Sequence, residues 1–182
     1  MIQMVVGAAA ASERQSVIRP RTMDWERLSI DPTNLDCDRL LSDWRWLVPI
    51  NLRPFSLTLF GDWFFEDDRG RVLFLDTVGG KLSQIAPTRA AFHSMREQPE
   101  NRDEWYMADL ASLCLERGLQ PRHGQCLSFK MPPVLSGPLD PDNIEVCDLM
   151  VHESTTAQIH RGVKNLPEGT KINRFVVDGE AP

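Results

Sequence analysis

The stretch from residue 57 to residue 76 decides the predicted fold. It reads Leu57-Thr-Leu-Phe-Gly-Asp-Trp-Phe-Phe-Glu66, then Asp67-Asp-Arg-Gly70, then Arg71-Val-Leu-Phe-Leu-Asp76. Aromatic and aliphatic residues fill both arms, and these residue types suit a pleated, well-buried surface. The short polar side chains and the glycine between the arms are typical of a tight turn. The stretch therefore predicts a β-hairpin, which needs further strands or helices packed against it.

The remaining chain supplies segments that could cover this hairpin. Apolar residues recur at helical spacing over about residues 35–47, 88–98 and 101–117, and a last helix is expected to begin at a cap on Ser154. Strand patterns occur over residues 82–85, 125–130, 143–151 and 172–177. These elements predict an α+β fold, in which helices pack on an antiparallel sheet with a central hairpin.

The first 22 residues differ from the remainder and predict a flexible N-terminal tail. An alanine run leads into Arg19-Pro20-Arg21, and no hydrophobic period persists. We interpret this segment as an upstream extension of a gene whose natural start is Met23. The length of 182 residues suits one domain with such an appendage. Residues 23–182 are then predicted to form a single α+β domain.

The charge of the chain indicates the class of partner. The net charge is −6, and residues 1–22 hold three arginines against one glutamate, so residues 23–182 carry −8. An anionic domain repels phosphate, which argues against a nucleic-acid partner and favours a basic protein. A charge of this size also serves ordinary solubility, so that alternative stays open.

The cysteines and the hydropathy indicate where in the cell the protein is expected to act. The four cysteines are widely spread without any C-x-x-C pair, which favours reduced, mostly buried thiols in a cytoplasmic protein. The apolar run over residues 4–11 is too short to span a bilayer, so no membrane association is expected.

Motifs for catalysis, metals and cofactors do not occur in recognisable form. The four histidines lack the four-residue spacing of a helical zinc pair, and Gly79-Gly80-Lys81 is typical of a hairpin turn rather than a phosphate loop. A mixed metal site that combines His152 and His160 with Cys126 and Cys147 is the alternative. Glu66, Asp67 and Asp68 are expected to stay solvated at an exposed turn. No catalytic residue, metal or cofactor is therefore predicted. A cleft holding His160, Asp148 or Asp62 with a shifted pKa would instead favour an enzyme.

Tryptophan beside carboxylate is the pattern that points to protein binding. Trp63 follows Asp62 and Trp105 follows Glu104, and tryptophan is favoured at interface centres. The alternative is that both tryptophans belong to the core, and His160 is equally typical of a structural histidine. The predicted partner-binding set comprises Asp62, Trp63, Asp67, Asp68, Glu104, Trp105, His160 and Arg161.

Several stretches together resemble one bacterial family. They are Phe60–Phe64, Leu73–Asp76, Asp103–Leu110, Gly124–Pro133, and Gln158-Ile-His-Arg161 continuing through Lys164–Thr170. They are similar to proteins that share the C-terminal domain of type VI secretion DNase-immunity proteins, over about residues 23–172. Ala157 departs from the usual glycine, and Gly162 from a usual larger polar residue. The hairpin also bears a looser, architectural similarity to Smi1/Knr4-type proteins.

The resemblance implies a function but no residue set. It implies a non-catalytic cytoplasmic protein that binds a basic nuclease toxin and neutralises it by occlusion. The family's binding residues are not fixed by a motif, so none is carried over to this chain. A regulatory or scaffold adaptor without a toxin partner is the first alternative, and an uncharacterised enzyme is the second.

Overall fold

A computed structural model describes residues 25–167, 169–170 and 172 of the chain. The predicted tail over residues 1–22 lies outside the described residues, and so does the predicted strand over 172–177 apart from Ile172. In the described part, no helix has the length and apolar character needed to cross a bilayer.

Five strands form an antiparallel meander in the order β1-β2-β3-β4-β5. They are β1 (Ser29–Ile30), β2 (Arg53–Thr58), β3 (Trp63–Glu66), β4 (Val72–Asp76) and β5 (Lys81–Ala86). The predicted hairpin is confirmed as β3 and β4. The predicted first arm, over residues 57–66, is too long, because a turn at residues 59–62 separates β2 from β3. That turn contains Gly61 at a φ of 83°, and Thr58 N–H donates to the carbonyl oxygen of Asp62 across it at 2.8 Å.

A second, two-stranded antiparallel sheet contains β6 (Gln125–Phe129) and β7 (Ile144–Asp148). It joins the meander at one end, where Leu127 N–H donates to the carbonyl oxygen of Leu59 at 2.7 Å. The strand predicted over 143–151 is therefore too long, because helix α6 begins at Leu149.

Six α-helices occur in the described residues: α1 (Trp25–Leu28), α2 (Cys37–Leu40), α3 (Arg89–Met95), α4 (Pro99–Tyr106), α5 (Ala108–Glu116) and α6 (Leu149–Val163). The predicted single helix over 35–47 is wrong, since α2 ends at Leu40 and a 3₁₀ turn follows over Ser42–Trp44. The predicted helix over 101–117 is two helices, which meet at Met107 in a left-handed conformation with a φ of 45°. The α+β architecture itself is confirmed.

The cap of α6 is Asp148 rather than the predicted Ser154. The Asp148 carboxylate accepts hydrogen bonds from the N–H groups of Met150 and Val151 at 2.9 and 3.2 Å. Ser154 instead donates its hydroxyl to Asp43, which ties the helix to the 3₁₀ turn over Ser42–Trp44.

The central strand β3 is buried on both faces. Successive side chains of a strand point to opposite faces, so Phe64 joins one core and Trp63 and Phe65 join the other. Helices α3, α4 and α5 cover the Phe64 face, and the Trp63 face is covered by α2 and α6. The meander is thus enclosed between two helical layers, and the polar groups of α6 are pressed against it.

Candidate functional site

Glu153 of α6 lies at the centre of the only fully buried carboxylate–indole cluster in the described residues. Its two carboxylate oxygens accept hydrogen bonds from the indole N–H groups of Trp44 and Trp63, both at 2.8 Å. All three side chains have an exposed fraction of 0%. Burial raises the pKa of Glu153 well above its ordinary value, and the two indole hydrogen bonds oppose that shift only in part.

The pattern of α6 explains how Glu153 comes to be buried. Leu149, Glu153 and Ala157 follow one another at four-residue spacing, which places them on one face of the helix. Leu149 and Ala157 belong to the core on the Trp63 side of the meander. A glutamate inside an apolar stripe was the signal that could have found this residue, and the sequence prediction missed it.

Asp62 forms a second buried polar cluster in the turn between β2 and β3. Its carboxylate accepts hydrogen bonds from the Thr58 hydroxyl, the Thr77 N–H and the Thr77 hydroxyl, all at 2.8 Å. Burial, with a smaller contribution from the nearby Asp76 carboxylate, raises the pKa of Asp62 to about 6. Asp62, which was predicted to bind a partner, is buried because the turn folds inward over its own side chain.

Two histidines of α6 complete the polar surface that faces the meander. His160 Nε2 lies 2.9 Å from the Thr77 carbonyl oxygen, which can only accept, so this nitrogen carries the proton. His152 Nδ1 hydrogen-bonds the Ser128 hydroxyl at 2.9 Å. Burial lowers the pKa of His152 to about 4 and also lowers the pKa of His160. Both rings are therefore neutral at physiological pH.

Two glycines in the turns of the meander allow the histidine rings of α6 to lie close to its backbone. A Cβ atom on Gly61 would lie 2.7 Å from the His152 ring, and one on Gly80 would overlap the His160 ring. Both glycines also have positive φ values, of 83° and 63°. The predicted hairpin turn at Gly79-Gly80-Lys81 is confirmed, and it also makes room for a histidine.

The buried groups form an internal polar layer between α6 and the meander. A cavity of about 20 Å³ lies beside His152 and His160, which is room for about one water molecule. The hydrogen bonds of Glu153, Asp62 and the two histidines run to tryptophan, threonine, serine and backbone groups. Such a layer fixes the position of α6 against the sheet.

At the alternative metal site, the two cysteines are neighbours, but the described residues do not supply a third ligand. Cys126 and Cys147 are opposite each other in the β6–β7 register, and both are free thiols. Within the described residues, no group of three His, Cys, Asp or Glu side chains could hold a metal ion. Burial raises the pKa of both thiols, which disfavours the thiolate form that binds metals.

The structure places the predicted partner-binding residues in two environments. Five are buried: Asp62, Trp63, Asp67, Trp105 and His160. Three are exposed: Asp68, Glu104 and Arg161. The alternative that both tryptophans are core residues is what the structure shows, with exposed fractions of 0% for Trp63 and 4% for Trp105. Whether the exposed three contact a partner stays a prediction.

Asp67 also differs from the solvated turn carboxylate that was expected. It accepts a hydrogen bond from the Arg71 side chain at 2.7 Å and bonds the backbone N–H groups of Arg69 and Arg71, both at 2.9 Å. The carboxylate therefore closes the β3–β4 turn. Asp68, the next residue, remains exposed.

An acidic exposed surface lies along α4. Glu100, Asp103 and Glu104 are exposed, and none of them forms a salt bridge within the described residues. Asp109 continues this surface at the start of α5. The buried faces of α4 carry Trp105 and Tyr106, which fix the helix in the core on the Phe64 side. This surface, which we term the α4 acidic face, is rigid and anionic.

The family comparison covers the part of the chain from the end of β5 to α6. Residues 86–160 match the family described as T6SS immunity protein Tdi1, C-terminal. The resemblance predicted from the sequence motifs is thereby confirmed over this range. The matched segment contains the α4 acidic face, the β6–β7 sheet and most of α6.

Among solved structures, the crystal structure of Atu4351 from Agrobacterium tumefaciens is similar, with a TM-score of 0.44 and 15% sequence identity. The alignment covers 66% of this chain and 60% of that chain, which is less than two thirds of its length. Comparison with curated proteins yields no match.

Proposed function

We propose that this chain is a cytoplasmic immunity protein that neutralises a nuclease toxin by binding it, without catalysing a reaction. The observation that carries this proposal is the match of residues 86–160 to the Tdi1 C-terminal family of type VI secretion immunity proteins. A toxin that acts on DNA needs a basic surface to bind phosphates. An anionic protein that covers this surface competes directly with the nucleic acid.

The α4 acidic face supports a role in capturing such a toxin. Its carboxylates form no salt bridge among the described residues. Charges of this kind chiefly accelerate association and select the partner, while adding less to the lifetime of the complex. The buried polar layer supports the proposal in a second way, because its ionisable groups are enclosed in the fold and are not available to a substrate.

Reversing charge on the α4 acidic face should slow association with the toxin. Glu100 and Glu104 lie four residues apart on one helical face, so the variant E100K/E104K changes that face alone. We expect the association rate to fall about tenfold at low salt, with little change in the dissociation rate. Surface plasmon resonance against a catalytically inactive form of a type VI secretion nuclease from the same organism measures both rates.

Salt provides the control for this experiment. Because exposed charges are screened, the rates of wild type, E100Q/E104Q and E100K/E104K should converge near 0.5 M salt. At low salt the neutral variant should fall between the other two. Equal association rates for all three proteins at low salt would contradict electrostatic capture by this face. An absence of any binding by the wild-type chain would contradict the immunity proposal.

A further inference from the structure

The loop between β6 and β7, over residues 131–139, is held in one conformation by a single asparagine. The Asn143 side-chain N–H₂ donates to the carbonyl oxygens of Met131 and Pro138 at 2.8 and 2.9 Å, and its oxygen accepts from the Met131 N–H at 3.0 Å. Asn143 is itself buried. Both ends of the loop are therefore attached to the same side chain.

The backbone of the loop adds further restraint. Pro132, Pro133 and Pro138 have fixed φ angles, which lowers the entropy cost of ordering the segment. The Pro132 carbonyl oxygen accepts from the N–H groups of Leu135 and Gly137 at 2.9 and 3.1 Å. Gly137 lies so close to the Met131 carbonyl that a Cβ atom would overlap it. The loop is thus ordered before any partner arrives.

This rigid loop presents apolar side chains to solvent. Exposed fractions are 52% for Met131, 38% for Val134 and 64% for Leu139. Single exposed apolar residues are common on protein surfaces. Three of them lie within nine residues of one pinned loop, and exposed apolar residues that cluster are typical of an interaction site.

The charges around the loop favour a basic partner. From residue 130 to residue 148 there are four carboxylates against one lysine, a formal charge of −3. Asp140 and Glu145 are exposed and form no salt bridge within the described residues. An apolar centre with a charged rim is the common anatomy of a protein interface.

Helix α5 connects this loop to the α4 acidic face. It packs against α4 on one side and against the 3₁₀ turn over Pro141–Asn143 on the other. Arg117, just beyond the end of α5, pairs with Asp142 of that turn. The two surfaces are therefore parts of one rigid segment, and both lie within the residues that match the immunity family.

We propose that the 131–139 loop is the apolar anchor of the toxin interface, with Val134 and Leu139 inserted into an apolar patch on the basic toxin. This inference rests on the proposed function and names its contact surface. The α4 acidic face accelerates the encounter, and the loop sets the lifetime of the complex. A preordered loop pays little conformational entropy on binding, so its contacts contribute fully to affinity.

The test compares apolar-to-serine substitutions at two places on the surface. V134S/L139S removes apolar contact from the loop, and I50S removes it from Ile50, which is 81% exposed and lies outside the loop. Binding to the inactive form of the type VI secretion nuclease is measured by surface plasmon resonance. We expect V134S/L139S to raise the dissociation rate about 30-fold or more and I50S to change it less than about threefold. Thermal unfolding of each variant verifies the fold.

Each outcome separates the two proposals. If the wild type binds and V134S/L139S dissociates no faster, the loop inference is overturned and the immunity proposal stands. If the wild type does not bind the nuclease, the immunity proposal fails and the loop loses its stated occupant. If V134S/L139S instead converts a wild-type dimer to a monomer in light scattering, the loop binds a second copy of this chain, and the inference is again overturned.

Discussion

Replacing Glu153 by alanine is expected to lower the free energy of unfolding by about 3–5 kcal/mol. The substitution leaves the indole N–H groups of Trp44 and Trp63 buried without their acceptors, and it also opens a cavity beneath α6. Each effect costs free energy separately, and the site has no access to water because all three side chains are fully buried. Urea denaturation, followed by tryptophan fluorescence and circular dichroism, measures the change.

Two further variants separate the contribution of the lost hydrogen bonds to the free energy of unfolding from the contribution of the cavity. E153Q keeps the volume but turns an N–H₂ group toward one of the indole donors, so we expect it to cost about 1–3 kcal/mol. With Trp44 replaced by phenylalanine one donor is absent, and E153Q should then cost less. A cost for E153Q that is the same in both backgrounds would show that the Trp44 hydrogen bond does not stabilise the fold.

Asp62 should make the wild-type protein less stable as the pH rises from 4 to 6. Its pKa in the folded state is about 6, against an ordinary value of 3.8, so in this range the folded state keeps a proton that the unfolded state has released. Folding is therefore favoured most at low pH, and this contribution is lost as the pH rises through the folded pKa. The loss amounts to about 2 kcal/mol between pH 4 and pH 6.

The variant D62N isolates this contribution from those of other groups. His152 and His160 act in the opposite direction, because their lowered pKa values make the folded state less stable as the pH falls. These histidines are present in both proteins, so the difference in unfolding free energy between wild type and D62N reports Asp62. Urea titrations at several pH values measure that difference. If the free energies of unfolding of wild type and D62N change in parallel between pH 4 and pH 6, the raised pKa of Asp62 in the folded state is contradicted.

The sequence predicted the features that short-range patterns control. Alternation and turn chemistry located the β3–β4 hairpin, and the Thr88 cap located α3, since both signals lie within a few residues. The motifs also pointed to the immunity family, which the match over residues 86–160 confirms.

Long-range contacts account for the errors. Glu153 meets its two indoles from 109 and 90 residues away, and no local pattern records these contacts. No glycine or proline lies at Met107, where α4 ends and α5 begins, so the sequence did not indicate a boundary there. Trp105, Tyr106 and Ala111 on either side of it pack in the core. Asp62 and Trp63 looked like a surface pair because sequence adjacency does not show that a turn folds inward.

The central claim is that this chain inactivates a nuclease by binding it, and a cleavage titration tests that claim most directly. Increasing amounts of the purified chain are added to a fixed amount of a type VI secretion nuclease from the same organism, and the rate of DNA cleavage is recorded. The account predicts a linear decline that reaches zero at an equimolar ratio. Undiminished cleavage in the presence of a severalfold excess of the folded chain would contradict it.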